Sequence, residues 1–231
     1  MPLIVLEGLD GAGKSTQIQL LREMLVKEGM RVEYLHFPRF DAPVYGDMIG
    51  RFLRGELGEI GQVNPYVVAL LFAGDRAYAG PVIRRWLDEG RFVLLDRYVN
   101  SNIAFQCAKL DDPEERRKLK DWILDTEFHE FGIPQPDMSL FLDVPFGFTE
   151  KKLTGNRHGD DRSYLKGARD IHEESLDLQR KVRDIYLWRA SEDDTMHVVD
   201  CSGPDDCMAK PEEIFARIEG KIEPFLKRQV E

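Results

Sequence analysis

The chain has 231 residues, 42% of them hydrophobic, which suits one α/β domain with an insertion or two small domains. Its formal net charge of −10 argues against nucleic acid as a partner. The three cysteines form no C-x-x-C pair and are typical of a reducing cytosol, so we expect a cytoplasmic protein. No apolar stretch reaches the roughly 18 residues of a membrane span, and a strand-like run from Leu3 leaves no room for a signal peptide. We therefore expect no membrane association.

Short apolar runs and longer amphipathic stretches alternate along the chain. The runs that predict strands are 3–7, 32–37, 92–96, 138–143 and 196–200. The stretches that predict helices are about 15–28, which ends at Gly29, then 64–89, a segment opened by Pro113, 170–190, and a segment opened by Pro211. Strands that alternate with helices favour an α/β fold, with a five-stranded parallel sheet flanked by helices.

A glycine-rich loop follows the first predicted strand. Residues 8–15 read Gly-Leu-Asp-Gly-Ala-Gly-Lys-Ser, the pattern G-x-x-x-x-G-K-S, and a predicted helix follows. Glycines let consecutive backbone N–H groups turn inward around a phosphate, Lys14 can reach the outer phosphates, and the Ser15 hydroxyl can ligate Mg²⁺. The pattern predicts a nucleoside triphosphate site in a P-loop NTPase fold. The candidate ATP-binding residues are Gly8, Asp10, Gly11, Ala12, Gly13, Lys14, Ser15 and Thr16.

The loop alone leaves kinases, motor-type ATPases, GTPases and transporters open. A GTPase would carry an N-K-x-D motif, which the sequence lacks. The stretch 154–169 is polar and rich in both charges, which is typical of a flap over a nucleotide or metabolite kinase site. At the end of the third predicted strand, Asp96 could hold Mg²⁺ and Arg97 could bind an acceptor phosphate. The alternative is an ion pair between these two neighbours.

Seven segments then follow one another in a recognisable order and spacing. They read LEGLDGAGKST (6–16), FPR (37–39), LFAGDR (71–76), DRYVNSN (96–102), PQPD (134–137), LFLDVP (140–145) and RDIHE (169–173). Together they resemble the thymidylate kinase family of P-loop nucleoside monophosphate kinases across nearly the whole chain. Each segment is a weak signal alone, but the set is specific.

The resemblance implies a single kinase domain over residues 1–231, with a lid at about 154–169. It implies that ATP phosphorylates dTMP to dTDP with Mg²⁺ as cofactor, in a protein that is usually a homodimer. Two alternatives stay open from the residues. One is a kinase for another pyrimidine nucleoside monophosphate or a deoxynucleoside, and the other is a non-catalytic protein that binds ATP as a switch or scaffold.

The resemblance also implies roles in binding dTMP. Phe72 would stack on the pyrimidine, and Arg76, one helical turn further on, would donate to a base carbonyl. Asn102 would reach the base edge beside it. The remaining candidates are Asp10, Phe37, Arg39, Arg97, Ser101 and Phe105. Among these, Arg97 and Arg39 would hold the 5′-phosphate, Phe37 would wall the sugar and base, and the ring of Phe105 would disfavour a ribose 2′-OH.

A basic residue that stabilises the transferring phosphoryl group is supplied in this family by the phosphate loop or by the lid. Gly11 occupies the loop position here, so we expect the lid to supply it, from Arg157 or Arg162. The next candidates are Arg169, Lys151 and Lys152. The predicted catalytic residues are Lys14, Asp96, Arg97, Arg157 and Arg162.

Two acids near the start of the long predicted helix resemble family residues that contact the acceptor sugar or a metal near its phosphate. Asp170 and Glu173 are three residues apart, so they share a helix face. The alternative is structural, with Asp170 as a helix cap and Glu173 in the capping-box position. The predicted metal ligands are therefore Ser15, Asp96, Asp170 and Glu173.

Overall fold

A computed structural model describes residues 1–59, 61–148, 165 and 176–227. Its strands are β1 (Leu3–Gly8), β2 (Val32–His36), β3 (Phe92–Asp96), β4 (Met138–Asp143) and β5 (Met196–Asp200). They form one parallel sheet in the order β2-β3-β1-β4-β5. The five predicted strands and the predicted α/β fold with a parallel sheet are confirmed.

Helices cover the sheet. They are α1 (Lys14–Lys27), α2 (Tyr45–Leu53), α3 (Pro65–Asp88), α4 (Val99–Cys107), α5 (Pro113–Leu124), α6 (Leu176–Glu192) and α7 (Pro211–Lys227). A π-helix (Asp125–Glu130) continues α5, and a 3₁₀ turn (Pro204–Asp206) precedes α7. Helices α1, α3, α5 and α7 lie where the sequence predicts them. The first residues of the helix predicted over 170–190 lie outside the described residues.

The helix starts follow from local capping chemistry. The Asn64 side chain accepts a hydrogen bond from the Tyr66 N–H at 2.9 Å, and Pro65 occupies the first helical position of α3. At the start of α5, Asp112 accepts from the Glu114 N–H at 3.0 Å. These are the Asn-Pro and Asp-Pro signals that place both helices in the sequence.

Two helices were not predicted from the sequence. Every residue of α4 is buried, polar and apolar alike, so its sequence lacks the separation into an apolar and a polar face that marks a surface helix. Helix α2 has only nine residues and follows a stretch that contains Pro43. Short helices whose boundaries depend on packing give weak sequence signals.

Most of the core lies in two layers, one on each face of the sheet. Alternate residues of β1 face opposite layers, because side chains alternate along a strand. Leu3 and Val5 pack with helices α3 to α6, whereas Ile4 and Leu6 pack with α1 and α7. All six residues of β1 are buried, as expected for a central strand covered on both faces.

The sheet order fixes where ligands can bind. Strand β1 lies between β3 and β4, so the connections that leave β1 and β3 meet at the carboxyl edge of the sheet. The register pairs Leu6 with Asp96, which brings the glycine loop next to Asp96 and Arg97. In open α/β sheets this crevice is the usual ligand site.

Helix α3 corrects one expectation from the sequence. By length and composition, Pro65–Asp88 contains an 18-residue window apolar enough to cross a membrane, so the expectation that no stretch is long enough was wrong. Half of that window is buried inside the protein, and the helix carries the buried ionic residues Asp75 and Arg76. This is the pattern of a core helix.

Candidate active site

The glycine loop joins β1 to α1 in a tight turn. Gly11 and Gly13 have φ values of 79° and 82°, a conformation that residues with a Cβ rarely adopt. The Ala12 N–H donates to the Leu9 carbonyl at 3.2 Å and closes the turn. Gly8 ends β1, and α1 opens with residues 14–16, of which Ser15 and Thr16 are exposed. The predicted ATP-binding residues therefore form one continuous loop and helix start.

Lys14 lies over this loop. Its Nζ donates to the carbonyl oxygens of Gly8 at 3.3 Å and Leu9 at 3.1 Å. Burial lowers the pKa of Lys14 to about 8, and repulsion from Arg97 acts in the same direction. Bound phosphates would favour the charged form, because they bring negative charge to the ammonium group.

Arg97 connects the loop to the end of β3. Its Nη2 donates to Asp10 Oδ1 at 2.7 Å, and its Nη1 donates to Ser101 Oγ at 3.2 Å. Arg97 has a φ of 66°, a costly conformation for a residue other than glycine, and such strain clusters at functional sites. Its guanidinium lies 5.3 Å from the ring centroid of Phe105. The ion pair considered from the sequence joins Arg97 to Asp10, not to Asp96.

The buried acid Glu7 supports the residues that follow Arg97. Glu7 Oε1 accepts from the Tyr98 and Ser101 N–H groups at 3.0 and 3.2 Å, and its Oε2 accepts from Ser101 Oγ and Tyr186 Oη. Burial raises the pKa of Glu7 above its usual value, although these hydrogen bonds oppose the shift. Glu7 thereby fixes the first turn of α4 against β1.

Asp96 has the properties of a metal-binding or water-binding acid. It is 3% exposed, and none of the described residues donates a hydrogen bond to its Oδ1. Buried carboxylate oxygens normally have partners. Among residues 1–59, 61–148, 165 and 176–227, no group of three or more His, Cys, Asp or Glu could hold a metal. Asp96 and Ser15 nevertheless fit Mg²⁺, which typically takes few protein ligands and completes its shell with phosphates and water.

Arg76 and Asn102 both donate hydrogen bonds to Glu127, which lies in the π-helix. Arg76 donates to both carboxylate oxygens of Glu127, through Nε at 2.5 Å and Nη2 at 2.7 Å. Asn102 Nδ2 donates to Glu127 Oε1 at 2.9 Å and to the Ala69 carbonyl at 3.0 Å. All three side chains are almost fully buried. Phe72 lies one turn before Arg76 on α3, is partly exposed, and meets the ring of Phe52 edge-on.

Arg39 is held by a buried acid on α3. Its Nε and Nη2 donate to Asp75 Oδ1 at 3.0 and 2.8 Å, and its backbone N–H donates to Asp75 Oδ2 at 2.8 Å. The Arg39 guanidinium lies 5.7 Å from the ring centroid of Phe37. Phe37 is only 1% exposed, so it offers a ligand almost no surface of its own. Its role as a wall of the site stays a prediction.

Several predicted residues fall outside the described part of the chain. They are the catalytic candidates Arg157 and Arg162, the lesser candidates Arg169, Lys151 and Lys152, and the metal candidates Asp170 and Glu173. The remaining predicted residues lie around the carboxyl edge of the sheet and the adjoining helices α3 and α4.

Sequence reasoning missed four residues that hold the site together. They are Glu7, Asp75, Glu127 and Tyr186. Glu7 gave one usable signal, because an acid inside the apolar run of a central strand needs a buried partner. Asp75 gave a similar signal within the apolar part of α3.

Comparisons with known proteins agree with the geometry. A sequence model of the thymidylate kinase family matches residues 6–210. The chain is 34% identical over 190 residues to the thymidylate kinase of Mycobacterium tuberculosis. The aligned region covers 82% of this chain and 86% of that relative. It is 32% identical over 231 residues to a probable thymidylate kinase of Thermococcus onnurineus, with 97% and 99% coverage.

A solved structure gives the same result. The fold is similar to that of the thymidylate kinase from Candida albicans, with a TM-score of 0.73, 27% sequence identity, and coverage of 96% of this chain and 91% of that one. The resemblance drawn from the sequence segments is thus confirmed, and the chain belongs to the thymidylate kinase family.

Proposed function

We propose that this chain transfers the γ-phosphoryl group of ATP to dTMP, giving ADP and dTDP, and that Asn102 and Arg76 select the base. The observation that carries the assignment of these residues is an unpaired carbonyl. Asn102 Oδ1 is buried, and none of the described residues donates a hydrogen bond to it. Both acceptors of Asn102 Nδ2 are fixed, so the orientation of the amide is set by its neighbours.

The two side chains present a complementary pair of groups. Asn102 offers a hydrogen-bond acceptor, and Arg76 still has Nη1, which donates to none of the described residues. Thymine presents the matching pair on one edge, a donor at N3–H and an acceptor at O4. Cytosine presents the reverse, an acceptor at N3 and a donor at N4. A cytosine would leave buried groups unpaired, at a cost of about 1–3 kcal/mol each.

This argument weighs against the alternatives from the sequence. A CMP kinase would need an acceptor where Arg76 stands. A deoxynucleoside kinase would not need Arg97, which lies at the carboxyl edge where a 5′-phosphate can be bound bidentately. A protein that binds ATP only as a switch would need neither residue. None of the described residues of the site favours these alternatives.

The mechanism requires positioning and charge stabilisation more than covalent chemistry. Lys14 would hold the outer phosphates of the donor, and the backbone N–H groups of the glycine loop would surround them. Arg97, held by Asp10 and Ser101, would place the acceptor phosphate in line with the γ-phosphorus. Ser15 and Asp96 would hold Mg²⁺, which neutralises developing negative charge on the phosphates. An arginine of the lid would stabilise the transferring group.

The partner and compartment proposals rest on surface features. Val67, Leu70 and Tyr78 lie on one side of α3 and are 61%, 46% and 58% exposed. This apolar face supports a homodimer, which sedimentation or light scattering would test. Cys107, Cys201 and Cys207 are free, which supports a reducing, cytoplasmic environment.

A panel of acceptors tests the proposed reaction. ADP release would be measured with dTMP, dUMP, dCMP, dGMP and thymidine, with N3-methyl-dTMP as the matched control. We expect dTMP to be the preferred acceptor, and both dCMP and the N3-methyl analogue to lose about tenfold or more in kcat/KM, because each lacks the donor for Asn102. Equal activity with dCMP, or preferred activity with thymidine, would contradict the proposal.

A further inference from the structure

Glu127 is a fully buried carboxylate that contacts both base-reading side chains. Three N–H groups donate to it, two from Arg76 and one from Asn102. It is 0% exposed and lies 51 residues from Arg76 and 25 residues from Asn102 in the sequence. A buried acid in this position does more than balance one charge, because it constrains two neighbouring side chains at once.

We propose that Glu127 is the positioning residue that sets the base preference of the acceptor site, by forcing Asn102 to present its carbonyl and Arg76 to present its Nη1 edge. The inference rests on the proposed function, since it concerns how the same site reads the base. Glu127 is not a catalytic residue, because it acts through its two partners.

The argument for Asn102 follows from the number of acceptors around it. An amide can rotate by about 180° and exchange its oxygen and nitrogen at little steric cost. Here both hydrogens of Nδ2 have fixed acceptors, the Ala69 carbonyl and Glu127 Oε1, so only one orientation satisfies them. Without a carboxylate at 127, only the Ala69 carbonyl still opposes the flipped amide, which presents its NH₂ group to the ligand. That orientation suits cytosine.

The argument for Arg76 follows from the shape of the guanidinium. Glu127 occupies the Nε and Nη2 side of the group in a bidentate pair. This pair fixes the plane of the guanidinium and leaves Nη1 for a base carbonyl. Burial acts most strongly and lowers the pKa of Arg76, but the charge and hydrogen bonds of Glu127, together with Tyr98 and Asp75, raise it above its usual value. The carboxylate therefore both orients the arginine and keeps a buried cation stable.

The π-helix explains how Glu127 reaches this position. Helix α5 ends at Leu124, and Asp125–Glu130 continues it with a wider turn. One extra residue in a helical turn rotates the following side chains by about 100° relative to a continuous α-helix. The segment is anchored by the Phe131 N–H on the Thr126 carbonyl at 2.9 Å and by the Ile133 N–H on the Glu127 carbonyl at 3.1 Å. Such wide turns are frequent at functional sites.

The test is a comparison of base preference among matched variants. The preference is the kcat/KM for dTMP divided by that for dCMP, measured in the full chain with Glu127→Gln. Glutamine has nearly the same shape, but its NH₂ group cannot accept from Arg76 and can donate to a flipped Asn102. We expect the preference to fall by about tenfold or more, through a higher KM for dTMP and better use of dCMP, with the KM for ATP unchanged.

Asp193→Asn is the matched control. Asp193 also accepts from an arginine, Arg189 at 2.7 Å, and from two groups of Thr195, but it contacts neither base-reading residue. We expect this variant to lower the melting temperature and to keep the base preference of the natural chain. A base preference that fell equally in both variants would mean that Glu127 has only a structural role.

Two further variants separate the possible failures. If Arg76→Met leaves the base preference unchanged, the proposed base reading fails. If Arg76→Met changes it but Glu127→Gln stays within about twofold of the natural chain, the role of Glu127 fails. Should Glu127→Gln not fold, the double variant Arg76→Met/Glu127→Gln contains no unpaired buried charge. We expect it to lose the preference for dTMP over dCMP, because Arg76 is absent and Asn102 can flip, and a preference equal to that of the natural chain would overturn the inference.

Discussion

Arg97 donates a hydrogen bond to Asp10 at 2.7 Å, and this contact joins the end of β3 to the phosphate loop. Asp10 lies between Gly8 and Gly11 of the loop that we propose to hold the donor phosphates, whereas Arg97 follows β3 and is proposed to bind the acceptor phosphate. The side chain of Arg97 is 10% exposed and that of Asp10 is 27% exposed, so the contact is only partly screened by solvent. One ion pair therefore connects the proposed donor-binding loop to the residue proposed to bind the acceptor.

Removing Arg97 should affect the acceptor in both its bound and its reacting states. We expect Arg97→Ala to raise the KM for dTMP and to lower kcat, because it removes a charge-assisted contact worth about 1.5–3 kcal/mol. Steady-state kinetics with dTMP as the varied substrate, together with calorimetric titration of dTMP, give the measurement. An unchanged dTMP affinity with a lower melting temperature would identify Arg97 as a structural ion-pair residue.

The position of Lys14 predicts proton uptake on ATP binding. Burial lowers the pKa of Lys14 to about 8, so at pH 8.5 the free protein has mostly neutral Lys14. Bound phosphates raise the pKa again, so ATP binding takes up most of one proton at that pH, and ATP affinity falls as the pH rises above 8. Calorimetric titration at pH 8.5 in buffers of different ionisation enthalpy measures this uptake. Lys14→Met should abolish it, and the same uptake in that variant would contradict the assignment.

Gly11 leaves the phosphate loop without an arginine for the transferring group, which predicts that an arginine of the lid acts on that group. We expect Arg157→Ala or Arg162→Ala to lower kcat by about 10³-fold or more with little change in dTMP affinity, since the contact forms in the transition state. Both variants would be measured separately for kcat and for dTMP binding. If each keeps kcat within about threefold of the natural chain, the prediction for these two arginines fails, and Arg169, Lys151 and Lys152 are the next candidates.

We expect the buried Lys109 to make the stability of the fold depend on pH, independently of catalysis. Burial lowers its pKa to about 7, and it lies 5.0 Å from the ring centroid of Phe52 with Gln106 Oε1 as its hydrogen-bond acceptor. Between pH 7 and about 10.5 the unfolded chain keeps a proton that the folded chain releases, so Lys109 makes stability rise with pH in this window. Below pH 7 Lys109 is protonated in both the folded and the unfolded chain, and burial of its charge then destabilises the fold by the full amount.

The matched variant is Lys109→Met, which keeps the apolar part of the side chain. We expect its melting temperature to exceed that of the natural chain at pH 6–7, with a difference that shrinks as the pH approaches 10. A constant difference between the two proteins over this range would show that Lys109 does not titrate as proposed.

The sheet and the phosphate loop could be predicted from the sequence because their signals are local. The apolar pattern that begins at Leu3 and the glycine pattern that ends at Gly13 are each formed by residues only a few positions apart. Helix α4 could not be predicted, because burial on all sides removes the amphipathic period that marks a helix. Its packing against β1 and α6 is a property of the folded chain.

The candidate site divides in the same way. Residues that are predicted to touch a ligand, such as Lys14 and Arg97, occur in motifs with recognisable spacing. Residues that hold them, such as Glu7 and Glu127, act across long sequence separations, 94 residues for Glu7 with Ser101 and 51 for Glu127 with Arg76. A sequence can mark such an acid as needing a buried partner, as for Glu7, but only the structure shows which residue that partner is.

A crystal structure with dTMP bound tests the central claim most directly. We predict that the thymine ring stacks on Phe72, with N3 about 3 Å from Asn102 Oδ1, O4 about 3 Å from Arg76 Nη1, and the 5′-phosphate in contact with Arg97. A thymine bound away from the Arg76–Asn102 pair, or an Asn102 that turns its amide nitrogen toward N3, would contradict this account of the acceptor site.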